Sequence, residues 1–194
     1  NFGFSKLITT PHTMSDFYKN TNETINNGTY LVRDCLRKSN IDIEFEAASE
    51  YYVDFDFQKD IEKKNFLTFG SKYLLIEFPF VDEPKNIDNI IFQLQLAGYN
   101  VVLAHPERYM YFELKDYIKF AEKGVFLQLN LLSITGYYSP IVMKKAKQLI
   151  DEDLISFVGT DCHNIRQARN LEQCFTHPLW HQLLKSDKLL NNTL

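Results

Sequence analysis

The 194 residues are 45% hydrophobic with a net charge of −4, enough apolar content for one sizeable core and no basic excess of the kind nucleic acid selects. No apolar run approaches the roughly 18 residues that span a bilayer, so membrane insertion is not expected. Three cysteines, Cys35, Cys162 and Cys174, are an odd number without C-x-x-C spacing. They argue against a disulfide framework and fit a reducing cytoplasm.

The chain opens on Asn1-Phe2-Gly3-Phe4 with no start methionine and passes directly into an apolar strand, Lys6 to Thr10. The natural protein is therefore expected to begin further upstream. A helix is predicted over Thr21 to Lys38, a strand over Ile41 to Tyr52 and a short charged helix over Asp56 to Lys64. Tyr73 to Phe78 reads as a buried strand, and Ile87 to Ala97 as a helix closed by Gly98. Val101 to Ala104 is strand, Leu114 to Lys123 helix before Gly124, and Val125 to Leu129 strand. Pro140 to Asp151 is a helix with proline in its first turn, and Ile155 to Gly159 a strand. Ile165 to Phe175 and Pro178 to Leu190 are predicted helical. Six strands apolar on both faces, each followed by a helix, indicate a parallel sheet covered by helices, in a single domain over residues 1–194.

Parallel α/β folds place their chemistry at the C-terminal ends of the strands, where the βα loops meet. Here those ends carry His12, Glu50, Glu77, His105 with Pro106-Glu107-Arg108, and Asp161-Cys162-His163; the fifth strand ends in Gln128-Leu129-Asn130. Each residue alone has an ordinary explanation, such as a hydrogen-bonded histidine, a carboxylate paired with lysine, or Asp161 as a helix cap. Independent structural uses would not all fall at strand ends, and carboxylates buried beside imidazoles are costly unless a cation offsets their charge. Such a mixed donor set suits Zn, Mn or Fe. His177 and His181 have i,i+4 spacing but flank Pro178 in a late helix, and read as surface residues. Cys162 is expected to face the core. Asp54 and Asp56 read as a solvated loop, and Tyr51-Tyr52 and Tyr137-Tyr138 as either a pocket rim or packing.

Several segments carry a family resemblance: Ile8-Thr9-Thr10-Pro11-His12, Ala48-Ser49-Glu50, Leu74-Leu75-Ile76-Glu77-Phe78-Pro79, Ala104-His105-Pro106-Glu107-Arg108 and Gly159-Thr160-Asp161-Cys162-His163-Asn164. Over about Ile8 to Asn164 the chain resembles the PHP (polymerase and histidinol phosphatase) superfamily, most closely its bacterial capsule-type protein tyrosine phosphatases. The resemblance implies a distorted (β/α)7, TIM-like barrel whose complete form holds up to three divalent metal ions, manganese above zinc or iron. It implies Glu50 as the bridge between the first two ions, Asp161 on the first, Glu77 and His105 on the second, and His12 and His163 on the third. Arg108 would grip substrate phosphate beside the catalytic Asp161 and His163, with Arg166 or Arg169 as a second substrate-binding arginine. The family's first strand ends in His-x-His, which does not precede His12 here, so that strand is expected to be missing from this chain.

The implied reaction is hydrolysis of phosphotyrosine on a cytoplasmic protein, the tyrosine-rich tail of a bacterial kinase that controls capsule or exopolysaccharide export. No cysteine nucleophile is needed, and no cysteine here is followed by arginine at the six-residue offset of cysteine-dependent phosphatases. A small-molecule phosphatase of the histidinol-phosphate type and a non-catalytic phosphotyrosine or partner binder are the alternatives. Loss of a barrel strand would leave an unpaired edge at Ile8 and favour a homo-oligomer.

Overall fold

Parallel strands alternate with helices in two compact units, Asn1–Pro79 with Pro84–Val101 and Phe80–Glu83 with Val102–Leu194. A computed structural model describes residues 2–63 and 65–194.

In the first unit β1 (Lys6–Thr9) pairs with β3 (Glu44–Ala47), and β2 (His12–Thr13) pairs with β4 (Glu50–Tyr52), all parallel. Strand β5 (Tyr73–Glu77) continues from β4. The strand expected over Lys6 to Thr10 is thus observed one residue shorter, with His12 and Thr13 forming a second strand beyond Pro11, and the strand expected over Ile41 to Tyr52 is broken in two. Pro11 has no N–H to give to a ladder, which accounts for the break on that side. The pairing nevertheless resumes in step, because Ala48 N donates to Thr9 O at 2.9 Å and Glu50 N to Pro11 O at 3.2 Å. Buried Ser49 closes the gap by donating its hydroxyl to Pro11 O at 2.9 Å. That spends the only Ser49 hydroxyl hydrogen, so Thr13 Oγ1 is the donor in its 2.6 Å bond with Ser49 Oγ.

Helix α1 (Asn22–Lys38) starts in a capping box between Thr21 and Thr24 and ends in Arg37 and Lys38, the charge order the helix dipole favours. Helix α2 (Phe57–Ile61) is shorter than the predicted Asp56 to Lys64, and Lys64 lies outside the described residues. Helix α3 (Ile87–Leu96) buries Ile87, Ile90, Ile91 and Leu94, one stripe at i, i+3, i+4 and i+7. Gly98 ends it at φ 88°, a conformation open to glycine without strain. Leu74, Leu75 and Ile76 on β5 supply the other side of this unit's core.

Strand β6 (Asn100–Ala104) begins in the first unit and runs into the second, where it pairs with β7 (Phe126–Asn130). Strand β7 pairs with β8 (Ile155–Gly159), with a bulge at Leu127 and Gln128. Helices α4 (Leu114–Glu122), α5 (Pro140–Asp151), α6 (Ile165–Phe175) and α7 (Pro178–Leu183) complete the unit. The last helix stops well short of the predicted Leu190. The chain instead returns to β8, with Leu190 N donating to Ser156 O at 2.8 Å and Asn191 bonding both the N–H and the C=O of Val158. This tail takes up backbone groups along β8 that an edge strand would leave open. Leu103, Leu127, Leu129, Phe157 and Tyr117 form the buried centre.

Candidate functional site

Strand register decides which side chains meet in the first unit. His12 stands opposite Glu50, so the two side chains leave the same face. Glu50 in turn stands opposite Leu75, and the period of two along a strand puts Glu77 on that face as well. A ligand atom from each of His12, Glu50 and Glu77 lies within 4.8 Å of the others. His12 Nδ1 is 3.5 Å from Glu77 Oε2 and 3.9 Å from Glu50 Oε1. Both carboxylates are buried, and His12 is partly so.

The surroundings hold this group in place. Asn20 Nδ2 donates to His12 O at 2.7 Å, and the Tyr18 ring lies 5.3 Å from the imidazole. Asp54, expected in a solvated loop, is half-buried and accepts from Ser15 N at 3.0 Å, Ser15 Oγ at 2.8 Å and Phe57 N at 2.9 Å. Burial works against its charge, but these bonds outweigh it and hold the Asp54 carboxyl below the usual range. The segments leaving β2 and β4 are thereby tied to each other. One imidazole and two buried carboxylates suit a divalent ion such as manganese, iron or zinc, whose charge would offset theirs.

The second unit brings another group together. Asn130, at the end of β7, accepts from Leu132 N at 3.2 Å through Oδ1, which fixes the orientation of its amide. Its Nδ2 therefore donates to Asp161 Oδ2 at 2.8 Å and to Tyr138 Oη at 2.9 Å. Arg108 Nη1 is 3.3 Å from the same Asp161 oxygen. The guanidinium lies over two rings, 4.4 Å from the centre of Phe80 and 4.9 Å from that of Tyr138. Phe80 also stacks with His105 and Tyr109 at 5.5 and 5.7 Å.

His163 Nδ1 lies 2.9 Å from Asp161 O and 3.3 Å from Asp161 Oδ1, while its ring is largely exposed. His105 is buried, directly after β6. Both His105 and Asp161 take left-handed backbone, at φ 34° and 47°. Such strain at non-glycine residues is kept where the fold holds a side chain in a required direction.

Glu107 lies beneath this group, fully buried. Its Oε1 accepts from Asn130 N at 3.1 Å and from Ser133 Oγ at 2.6 Å. Burial raises its pKa against those bonds. Burial, then the charge of Asp161, pushes the Tyr138 hydroxyl up to about 12.

The predicted residues thus fall into His12, Glu50 and Glu77 in one unit, and Arg108, Asp161 and His163 with nearby His105 in the other. Arg166 and Arg169 are exposed on α6, and neither guanidinium bonds another described residue. Cys162 is exposed and does not face the core; the turn after Asp161 carries it outward to Asn164 O at 3.5 Å. His177 serves as the N-cap of α7, accepting from Leu179 N through Nδ1. Sequence reasoning missed Asn130 and Phe80 and left Tyr138 undecided. The available signal was that Asn130 ends a strand in the same way as the predicted residues.

The chain is similar to known proteins over most of its length. The chain is 29% identical to the tyrosine-protein phosphatase YwqE of Bacillus subtilis (strain 168), over 97% of this chain and 78% of that protein. It is 25% identical to the tyrosine-protein phosphatase CpsB of Streptococcus pneumoniae, over 84% and 70%. Among solved structures it matches a chain from the crystal structures of YwqE from Bacillus subtilis and CpsB from Streptococcus pneumoniae, described as unique metal-dependent tyrosine phosphatases. That match has a TM-score of 0.78 and 28% identity, and covers 98% of this chain and 82% of the other. The family model for capsular polysaccharide synthesis, CpsB/CapC, matches residues 1–178, and the chain belongs to that family.

Proposed function

We propose that this protein is a metal-dependent phosphatase that hydrolyses phosphotyrosine on a protein substrate, in the control of capsule or exopolysaccharide synthesis. The observation that carries the reading is the convergence of His12, Glu50 and Glu77, a ligand set built across three strands of a chain whose relatives are named tyrosine phosphatases. The complete site is the PHP-type arrangement on a distorted (β/α)7 barrel, with His105, Asp161 and His163 as further ligands and manganese as the preferred ion. Arg166 or Arg169 is the second substrate arginine. The substrate is the tyrosine-rich tail of a kinase in the cytoplasm, and β1, paired with β3 alone among the described residues, favours self-association.

A divalent ion bound there supplies positive charge that makes a water a stronger acid and a nucleophile available near neutral pH. The chain's own residues do the rest. Arg108 receives the phosphoryl group, since a guanidinium has five N–H donors and among the described residues Arg108 spends one, on a long 3.3 Å bond. Phe80 and Tyr138 keep its plane fixed, so little ordering is left for the moment of reaction. Asn130 anchors Asp161 through Oδ2, while the solvent-facing His163 approaches the other oxygen, Oδ1.

The test compares turnover of a phosphotyrosine peptide, a phosphoserine peptide and histidinol phosphate by protein loaded with manganese. Preference for the phosphotyrosine peptide, abolished by chelation and restored by manganese, is expected. Preference for histidinol phosphate would make the protein a small-molecule phosphatase, and tight peptide binding without turnover a binding module.

A further inference from the structure

The Tyr138 hydroxyl has a donor that interactions among the described residues leave unspent. Asn130 Oδ1 is committed to Leu132 N, so the Asn130 Nδ2 donates to Tyr138, and Tyr138 Oη is the acceptor of that bond. Among the described residues the Tyr138 hydroxyl hydrogen meets no acceptor. The placement is rigid from several sides. The tight turn Leu131–Thr135 ends at Gly136 with φ 77°, which folds the chain back toward Asn130. Ser139 then caps α5 through Val142 N at 3.1 Å, anchoring the residue after Tyr138. The Tyr137 ring meets that of Tyr138 edge-on at 5.2 Å. The ring that carries the hydroxyl is also the one lying 4.9 Å from the Arg108 guanidinium.

An oxyanion drawn to Arg108 would therefore find a neutral O–H donor beside the cationic N–H donors. Building on the phosphatase reading above, we propose that Tyr138 is a substrate-binding residue whose hydroxyl donates a hydrogen bond to a non-bridging phosphoryl oxygen held by Arg108. No covalent bond forms or breaks at Tyr138, and its proton stays on Oη through the reaction. The aromatic ring has a separate job, which is to wall the guanidinium. The substitution Tyr138→Phe separates the two roles, because it keeps the ring and removes only the donor.

The test uses manganese-loaded protein and two measurements, the calorimetric affinity for inorganic phosphate and the hydrolysis of phenyl and 4-nitrophenyl phosphate. With Tyr138→Phe, phosphate binding should weaken about tenfold, the scale for one hydrogen bond to a charged group. The catalytic efficiency kcat/KM should fall by one common factor for both esters, with metal content unchanged. Unaltered phosphate affinity would overturn the proposal. So would a loss concentrated on phenyl phosphate, the poorer leaving group, which would make the hydroxyl a proton donor to the departing oxygen. If the wild-type protein binds phosphate but hydrolyses neither ester, the phosphatase reading fails, and the affinity comparison still decides the role of Tyr138.

Discussion

Arg108 and Asp161 are joined by a single contact, 3.3 Å from Nη1 to Oδ2, onto an oxygen that Asn130 Nδ2 already holds at 2.8 Å. Asp161 therefore does not depend on Arg108 for its orientation, and among the described residues most of the guanidinium's donors remain available to an anion. The two rings around Arg108 fix its plane, which an ammonium on a flexible stem would not reproduce. Replacing Arg108 by alanine should lower kcat/KM for an aryl phosphate by about two orders of magnitude or more, the scale for loss of a transition-state donor. Metal content should change little, and Arg108→Lys should recover only part of the loss. If metal and activity fall in parallel, Arg108 is a structural residue.

The pattern of helices and parallel strands was legible because buried strands and amphipathic helices leave strong periodic signals, as Leu74 to Ile76 and the Ile87 to Leu94 stripe do. The gap between β3 and β4 was not, because Ile41 to Tyr52 reads as one β-rich run while the Ser49 side chain closes the ladder, and the short strand at His12 and Thr13 was missed because Pro11 ends the apolar run before it. The C-terminal end of α7 was missed for a related reason: Leu189 and Leu190 prolong a helical pattern that the pairing of the tail with β8 overrides. In the candidate site the charged strand-end residues announced themselves, whereas Phe80, Asn130 and Tyr138 are ordinary residue types. Their significance comes from what they touch, namely a guanidinium and an amide with fixed donors.

The group His12, Glu50 and Glu77 makes a direct prediction about metal. Losing one ligand should cost more than the roughly 10- to 100-fold in affinity that loss of an outer-shell partner costs. Titration calorimetry with manganese should show this for His12→Ala and for Glu77→Gln. Manganese should also raise the melting temperature of the wild-type protein, since an ion that binds only the folded state stabilises it by mass action. Retention of that rise in both variants would place the ion elsewhere.

Ser49 links the same group to the fold. Its hydroxyl bridges Pro11 O and Thr13 Oγ1 on the two sides of His12. Ser49→Ala leaves the Thr13 hydroxyl without its acceptor and Pro11 O with the Glu50 N–H as its remaining donor, at a cost of about 0.5–1.5 kcal/mol. Chemical denaturation should show this loss, and manganese affinity should fall as well, because His12 is no longer held from both neighbours. A variant as stable as wild type with unchanged metal affinity would mean that the strands alone position His12.

Asp54 gives a prediction for pH. Its carboxylate ties Ser15, three residues after His12, to the start of α2 through Phe57 N. Those bonds hold its folded pKa below the ordinary carboxylate value in spite of partial burial. The sign follows from proton linkage. Near and below about pH 3.9, the ordinary aspartate value, the unfolded chain binds more protons at this site than the folded one. The stabilisation is therefore complete above that value and is lost as pH falls through the lower folded pKa. Asp54→Asn keeps an oxygen for Phe57 N but carries no charge at any pH. At pH 7 it should melt about 2–4 °C below wild type, the shift expected for roughly 1 kcal/mol in a chain of this size. That gap should shrink as pH is lowered below 4, because only the wild-type side chain takes up a proton there. Differential scanning calorimetry of both proteins across this range measures the gap directly, and a gap that stays constant or widens in acid would show that the Asp54 charge does not hold the two segments together.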